Sequence, residues 1–294
     1  MQRIGQQRGA AMSCETIGAE QLQRAQQQYR HCLLCEHRCG VDRAGGERGF
    51  CEATAEARVY RCRVECGEEI ELIPSQLLYL SGCNLRCVFC IGESDAFDPQ
   101  RGQLLTSQLL AAAAAAGLQR AARNIQWVGG EPTIHLPAVL AAIAGCDRSL
   151  PIVWKSNFYG TMEGFALLDG VVDVYVADLK FGNNTCARQI AGVDDYMQII
   201  TRNLLLATRS TRLIVRHLLL PGHLECCYRP IVDWMCEHLP AAPFRVMVGY
   251  LPRWQAIRFA ALDSRCAELA SPLPRDAGTR AVALAREMGL NVIV

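Results

Sequence analysis

Leu77-Leu-Tyr-Leu-Ser-Gly-Cys83-Asn-Leu-Arg-Cys87-Val-Phe-Cys90 is the stretch on which the fold turns. Residues 77–81 are short and apolar, as a strand buried on both faces is, and Gly82 lets the chain leave that strand at a sharp angle. The loop that follows carries three cysteines in CX3CX2C spacing. Three thiolates on one loop can hold three corners of an iron–sulfur cube, and the fourth iron then keeps an open position for an outside ligand. Zinc fingers present two separated cysteine pairs, so the triplet alone is a poor zinc site. A loop at the C-terminal end of a parallel strand is also where such sheets carry their active sites.

Downstream, the same style repeats. Apolar, β-branched runs at 125–129, 152–156, 172–180, 213–220, 244–249 and 291–294 alternate with helical patterns at 107–123, 136–144, 162–168, 196–207, 225–238 and 276–288. Thr106 and Ser107 cap the first of these helices. Regular β–α alternation means a parallel sheet. The expected fold is α/β: a partial (β/α)6 TIM-like barrel over residues 76–294, open on one side, with a small Cys-rich N-terminal segment over residues 1–75. No internal repeat is visible.

Upstream, a helix is expected over 19–30, and then the text becomes Cys-, Gly- and charge-rich. Cys32-X2-Cys35-X3-Cys39-X11-Cys51, with glycines at 40, 45, 46 and 49, suits a closed tetrahedral zinc site or a second iron–sulfur cluster. A structural metal clip is the simpler of the two roles, because a segment this poor in apolar residues needs metal to fold. Cys62 and Cys66 are alternative ligands there, and His31 and His37 read as exposed loop residues.

The whole chain has 294 residues, a net charge of +1 and sixteen cysteines. Basic residues do not run together, which excludes the footprint of a nucleic-acid binder. The longest near-apolar run, residues 109–118, is ten residues with six alanines, too short and too weak to span a bilayer. The first twelve residues lack an apolar signal core, so a cytoplasmic protein is expected. In a reducing compartment clustered cysteines bind metal rather than pair. Cys14, Cys146, Cys186, Cys226, Cys227, Cys236 and Cys266 are scattered and read as small buried hydrophobes. The neighbours Cys226 and Cys227 are expected to face different ways.

The CX3CX2C loop, with Phe89 just before its last cysteine, resembles the radical SAM superfamily. Gly129-Gly130-Glu131-Pro132 at the end of the next strand resembles that family's GGEP. The resemblance implies that Cys83, Cys87 and Cys90 ligate a [4Fe-4S] cluster whose open iron chelates S-adenosyl-L-methionine (SAM). Reductive cleavage then gives a 5′-deoxyadenosyl radical that abstracts hydrogen from a substrate. By the same resemblance Gly129, Gly130 and Glu131 hold the SAM amino group, and Asn157 lies near the ribose. Asp178-Leu-Lys180 and Arg216, in Arg216-His-Leu-Leu-Leu-Pro-Gly222, are similar to activating enzymes of pyruvate formate-lyase and lie beside the carboxylate; His217 should point the other way. The stretches 154–157, 168–180 and 216–221 are most similar to uncharacterised homologues of that activase, and the resemblance spans residues 32–254. It implies an oxidoreductase, an electron donor such as flavodoxin or ferredoxin, and a glycyl-radical enzyme or a peptide as partner. A small-molecule substrate is the alternative, and a non-catalytic iron–sulfur or zinc scaffold a third. Residues 91–128 contain no cysteine, so the two-cluster insertion of some activases is absent. Ile91 stands where activases carry a polar residue, and Phe158 where many carry glycine; both changes are expected near the adenosine pocket.

Overall fold

The computed structural model of the protein describes residues 17–67, 69–147 and 149–293. Cys14 and the last residue of the strand expected at 291–294 lie outside them. The chain opens with α1 (Ala19–Gln27), β1 (Arg58–Glu65), β2 (Ser75–Leu80), α2 (Glu93–Phe97), β3 (Gln103–Leu104), α3 (Ser107–Gln119) and β4 (Ile125–Gly129). It continues through α4 (Leu136–Ala144), β5 (Ile152–Ser156), α5 (Met162–Ala166), β6 (Val174–Asp178), α6 (Asn184–Ala191), α7 (Tyr196–Ser210) and β7 (Arg212–Leu218). It ends with α8 (Arg229–His238), β8 (Phe244–Met247), α9 (Trp254–Leu262), α10 (Ala277–Glu287) and β9 (Val292–Ile293).

The strands form one open sheet in the order β3-β1-β2-β4-β5-β6-β7-β8-β9. From β2 to β9 every neighbour is parallel. Six parallel strands, β2 and β4 to β8, each lead into helix, and the sheet stops short of closing. This is the partial (β/α)6 TIM-like barrel expected. The unforeseen addition is β1, which pairs antiparallel with β2 and carries β3 on its other edge. Its text, Arg-Val-Tyr-Arg-Cys-Arg-Val-Glu, hides a β-forming set of Val59, Tyr60 and Val64 among charges that face solvent. The N-terminal segment therefore contributes a strand to the barrel's own sheet.

Two-residue alternation sorts every strand into an inner and an outer side. Trp127, Trp154 and Val215 face the helices and belong to the large core. Val153, Val176 and Ile214 face inward and pack with Leu72 into a small apolar plug. Two residues further along, the same inward side brings Lys155, Asp178 and Arg216 to the C-terminal end. Polar chemistry thus stands directly above an apolar floor. Among the described residues, no helix is long and apolar enough to cross a membrane.

Candidate functional site

The site begins where β2 ends. Gly82 leaves the strand at a φ of +84°, and Gly129 leaves β4 at +121°, both in the left-handed region. The Gly130 amide donates to the Leu80 carbonyl (2.7 Å) and the Glu131 amide to the Gly82 carbonyl (2.9 Å), so the two loops lie against each other. A Cβ on Gly130 would stand 1.8 Å from the Gly82 oxygen, and one on Gly129 2.3 Å from the Leu80 oxygen. Both are backbone atoms and cannot swing aside. Gly130→Ala should force the loops apart and lower stability by about 3 kcal/mol, read as a shift in denaturant midpoint. A variant as stable as the parent would show that the contact is soft.

Glu131 is the buried hub of the loops. One carboxylate oxygen accepts from the Thr133 amide (2.9 Å) and the Ser156 hydroxyl (2.8 Å), and the other accepts from the Asn157 amide (2.8 Å). Burial raises its carboxyl and these hydrogen bonds pull it back. Asn157 continues the chain inward: its Nδ2 donates to Asn84 Oδ1 (2.8 Å) and lies 3.9 Å from Cys83 Sγ. Glu131 and Asn157 thereby connect the ends of β4 and β5 to the cysteine loop.

The three cysteines face different sectors. Cys83 lies toward Glu131, Cys87 toward Lys180 and Asp178, and Cys90 toward Tyr60 and Arg253. Burial pushes the Cys87 thiol up to about 12, against the opposing Lys180 charge. The loop is fixed from the side by backbone bonds from Arg86 to Ala191 (2.9 Å) and from Val88 to Ile190 (3.0 Å). The Arg86 guanidinium donates to the Cys83 and Phe50 carbonyls, each at 2.6 Å, and stacks on the Phe50 ring. Three soft donors on one rigid loop fit an iron–sulfur cube that keeps one iron open.

Opposite this loop Asp178, Lys180 and Arg216 form one network. Arg216 grips Asp178 Oδ1 through Nε (2.8 Å) and Nη2 (2.5 Å), and Lys180 Nζ reaches Oδ2 (3.0 Å). Glu69, fully buried at its side chain, pairs with Arg216 (3.4 Å) and Arg245 (3.2 Å). Burial alone would raise Asp178, but Arg216, Lys180 and Lys155 overturn it and hold the carboxyl well below the usual range. Burial lowers Lys180, and the Asp178 and Cys87 charges more than restore it, leaving it raised. A depressed carboxyl contributes stability that is complete above its ordinary 3.8 and fades as pH falls through the lower folded value. A raised lysine contributes below its ordinary 10.5 and fades as pH rises through the higher folded value. Asp178→Asn should therefore cost about 3 kcal/mol at pH 7. Denaturation at several pH values checks this: the gap to the parent should hold near neutral pH and narrow as pH falls below 3.8.

The N-terminal thiols also converge. Cys32, Cys35, Cys39 and Cys51 line one small cavity with Phe50 and Ile134. Gly49 is a cradle residue, since a Cβ there would stand 2.6 Å from Cys39 Sγ. The buried Arg43 bonds to the Ile134 carbonyl (2.7 Å) and lies 3.9 Å from Cys32 Sγ, placing a positive charge where thiolates would gather. Cys62 and Cys66 are exposed on or just past β1 and do not line this cavity; Cys62 instead accepts from the Gln76 amide at 3.2 Å. His37 is not a free loop residue either. Its Nε2 meets the Asn84 carbonyl at 2.8 Å and its ring stacks on Phe50 at 3.8 Å, so it joins the prefix to the cysteine loop.

Phe158 adopts a φ of +60°, the conformation that suits glycine, yet its ring is wholly buried against Phe165 (5.0 Å) and Tyr175 (5.6 Å). Its ring belongs to the large core. His217 points away from the network, its Nδ1 at 2.7 Å from the Leu179 carbonyl. The scattered cysteines are not all filler: Cys186, Cys226, Cys227 and His223 bring their ligand atoms within 4.8 Å of one another.

Comparisons with known proteins bear on the family and the fold. The family described as the radical SAM superfamily matches residues 77–235. An uncharacterised protein of Methanocaldococcus jannaschii, MJ0674, is 37% identical over 243 residues, covering 81% of this chain and 71% of its own. Among solved structures, Streptococcus suis SuiB bound to its precursor peptide SuiA superposes with a TM-score of 0.50 at 12% identity, over 71% of this chain and 46% of SuiB. SuiB bound to S-adenosylmethionine gives 0.45 at 14% identity, over 72% and 47%. This chain thus spans under half the length of SuiB.

Proposed function

The chain belongs to the radical SAM superfamily, and from that premise we propose that its radical acts on a polypeptide. As a radical SAM enzyme it implies a [4Fe-4S] cluster, S-adenosylmethionine and a reductant. When bound, the cluster supplies the electron that splits S-adenosylmethionine into methionine and a 5′-deoxyadenosyl radical able to take hydrogen from a substrate. The chain's part is to bind and orient. In this reading Cys83, Cys87 and Cys90 hold iron. Gly129 and Gly130 let the backbone approach the methionine end, and Glu131 and Asn157 keep that loop in register. Lys180 and Arg216, anchored by Asp178, offer positive charge toward a carboxylate.

One observation carries the substrate class. Ile91, next to Cys90, is 76% exposed, and Leu251 and Trp254 are 63% and 53% exposed. The ion pair of Arg253 with Glu93 (2.7 Å) ties the second segment to the first. Exposed large apolar side chains on two segments that an ion pair joins beside Cys90 suit a polypeptide better than a small polar metabolite. Activation of a glycyl-radical enzyme is one form of this reading, and modification of a short peptide is the other. Reduced protein with S-adenosylmethionine should release 5′-deoxyadenosine faster in the presence of the polypeptide encoded beside it. A glycyl signal in electron paramagnetic resonance would mark the first form, and a mass change without it the second. Turnover on a small metabolite alone would contradict both. The prefix donor set takes zinc or a further iron–sulfur cluster, and Arg43→Met should weaken retention of either against a chelator.

A further inference from the structure

Cys186, His223, Cys226 and Cys227 lie outside every site described so far, and we propose that they bind a single zinc ion. The ligand atoms already outline a small tetrahedron. Cys186 Sγ lies 3.8 Å from Cys226 Sγ and 3.5 Å from His223 Nδ1. His223 Nδ1 lies 3.2 Å from Cys226 Sγ and 4.0 Å from Cys227 Sγ, and all four atoms fall within 4.8 Å of one another. Zinc bonds of about 2.3 Å to sulfur and about 2.0 Å to nitrogen give tetrahedral edges of roughly 3.5–3.8 Å. In an iron–sulfur cube each thiolate takes its own iron, so its sulfurs stand farther apart than the ligands of one ion. Three thiolates and an imidazole are borderline-soft donors, the set that favours zinc.

The surroundings are arranged for thiolates. Asn183 Nδ2 points at Cys186 Sγ (3.2 Å) and Cys227 Sγ (3.7 Å), and donates to the Cys226 carbonyl (2.6 Å). Its Oδ1 accepts from the Cys186 amide (2.7 Å), so the residue that caps α6 also supports the ligands. His223 is 5% exposed, with Nε2 buried in the protein and Nδ1 turned to the sulfurs. Cys227 is fully buried and Cys186 nearly so, while Cys226 is exposed and gives the ion a way in.

A π-helical turn, Leu224–Tyr228, explains how two adjacent cysteines share one site. The Cys227 and Tyr228 amides both donate to the His223 carbonyl, at 3.0 and 3.1 Å. The widened turn re-aims the two side chains toward the same side, a device common at functional sites. Gly182 lets the partner loop close in, since a Cβ there would stand 2.1 Å from the Cys227 oxygen. The zinc would staple the first turn of α6 to the π-helical turn after β7, downstream of Lys180 and Arg216. It would hold the rim of the site without touching the iron.

Zinc analysis of the full-length protein tests this, with the prefix thiols controlled separately. The expected result is that the double variant Cys226→Ser/Cys227→Ser loses about one zinc per chain relative to the parent. Cys32→Ser/Cys35→Ser should leave that zinc in place, and iron content should be unchanged in the first variant, which also certifies its fold. In the Cys32→Ser/Cys35→Ser protein, Co2+ should then give the visible bands of tetrahedral thiolate ligation. Cys186, Cys226 and Cys227 should resist alkylation until a chelator is added. Unchanged zinc in the Cys226/Cys227 variant would overturn the proposal. So would a Cys186–Cys226 disulfide in protein purified from a reducing cytosol. Neither readout depends on SAM cleavage, so this site and the proposed activity stand or fall apart.

Discussion

Replacing Cys83 by alanine is expected to abolish S-adenosylmethionine cleavage and to leave the metal content proposed for the N-terminal thiols unchanged. In the proposed reading Cys83 would supply one of three corners, and the two remaining thiolates should not retain a cube. The loss should reach the detection limit of 5′-deoxyadenosine analysis. The fold should survive, because Cys83 is small and its loop is fixed by bonds it does not make itself, among them those of Arg86 and Val88 to Ala191 and Ile190. The prefix cavity is lined by residues 32–51 and Ile134, with Cys83 no part of it, so its metal count should match the parent. Measurable cleavage by the purified Cys83→Ala protein would mean that the cluster sits elsewhere.

Glu131→Gln is expected to cost about 3 kcal/mol and to abolish S-adenosylmethionine binding. The change looks conservative and is not. The carboxylate accepts three hydrogen bonds, from Thr133, Ser156 and Asn157, through two oxygens. An amide offers one acceptor oxygen, and its NH2 group would face an amide N–H that also needs an acceptor. At least one buried donor is stranded, and the ends of β4 and β5 lose their common anchor beside Cys83. Urea unfolding should show a lower midpoint with an unchanged slope. Calorimetry of reconstituted protein should show no heat of SAM binding. Parent-like stability would mean that the loops hold without the hub.

The strand ends were legible because buried parallel strands write themselves as short apolar runs, and their C-terminal residues then fall on the site by topology. Leu77 to Cys90 and Ile125 to Glu131 needed only that rule. Asp178 and Arg216 were also readable as rim residues, but their bond to each other was not. It depends on the parallel register that sets residue 178 beside 216. The strand β1 escaped notice because its outward arginines hide the alternation. The helix α6 was missed because its first turn, Asn-Thr-Cys-Ala, lacks a long apolar period. Cys186 and the pair Cys226–Cys227 looked like filler for two reasons: they are forty residues apart, and a regular helix would splay the pair. Only the π-helical turn brings them together.

The most direct test of the central claim is electron paramagnetic resonance of anaerobically purified, dithionite-reduced protein, with and without S-adenosylmethionine. A reduced-cluster signal that changes shape when S-adenosylmethionine is added, and that disappears in Cys83→Ala together with about four irons, is the predicted result. A signal indifferent to S-adenosylmethionine, or no iron after reconstitution, would contradict it.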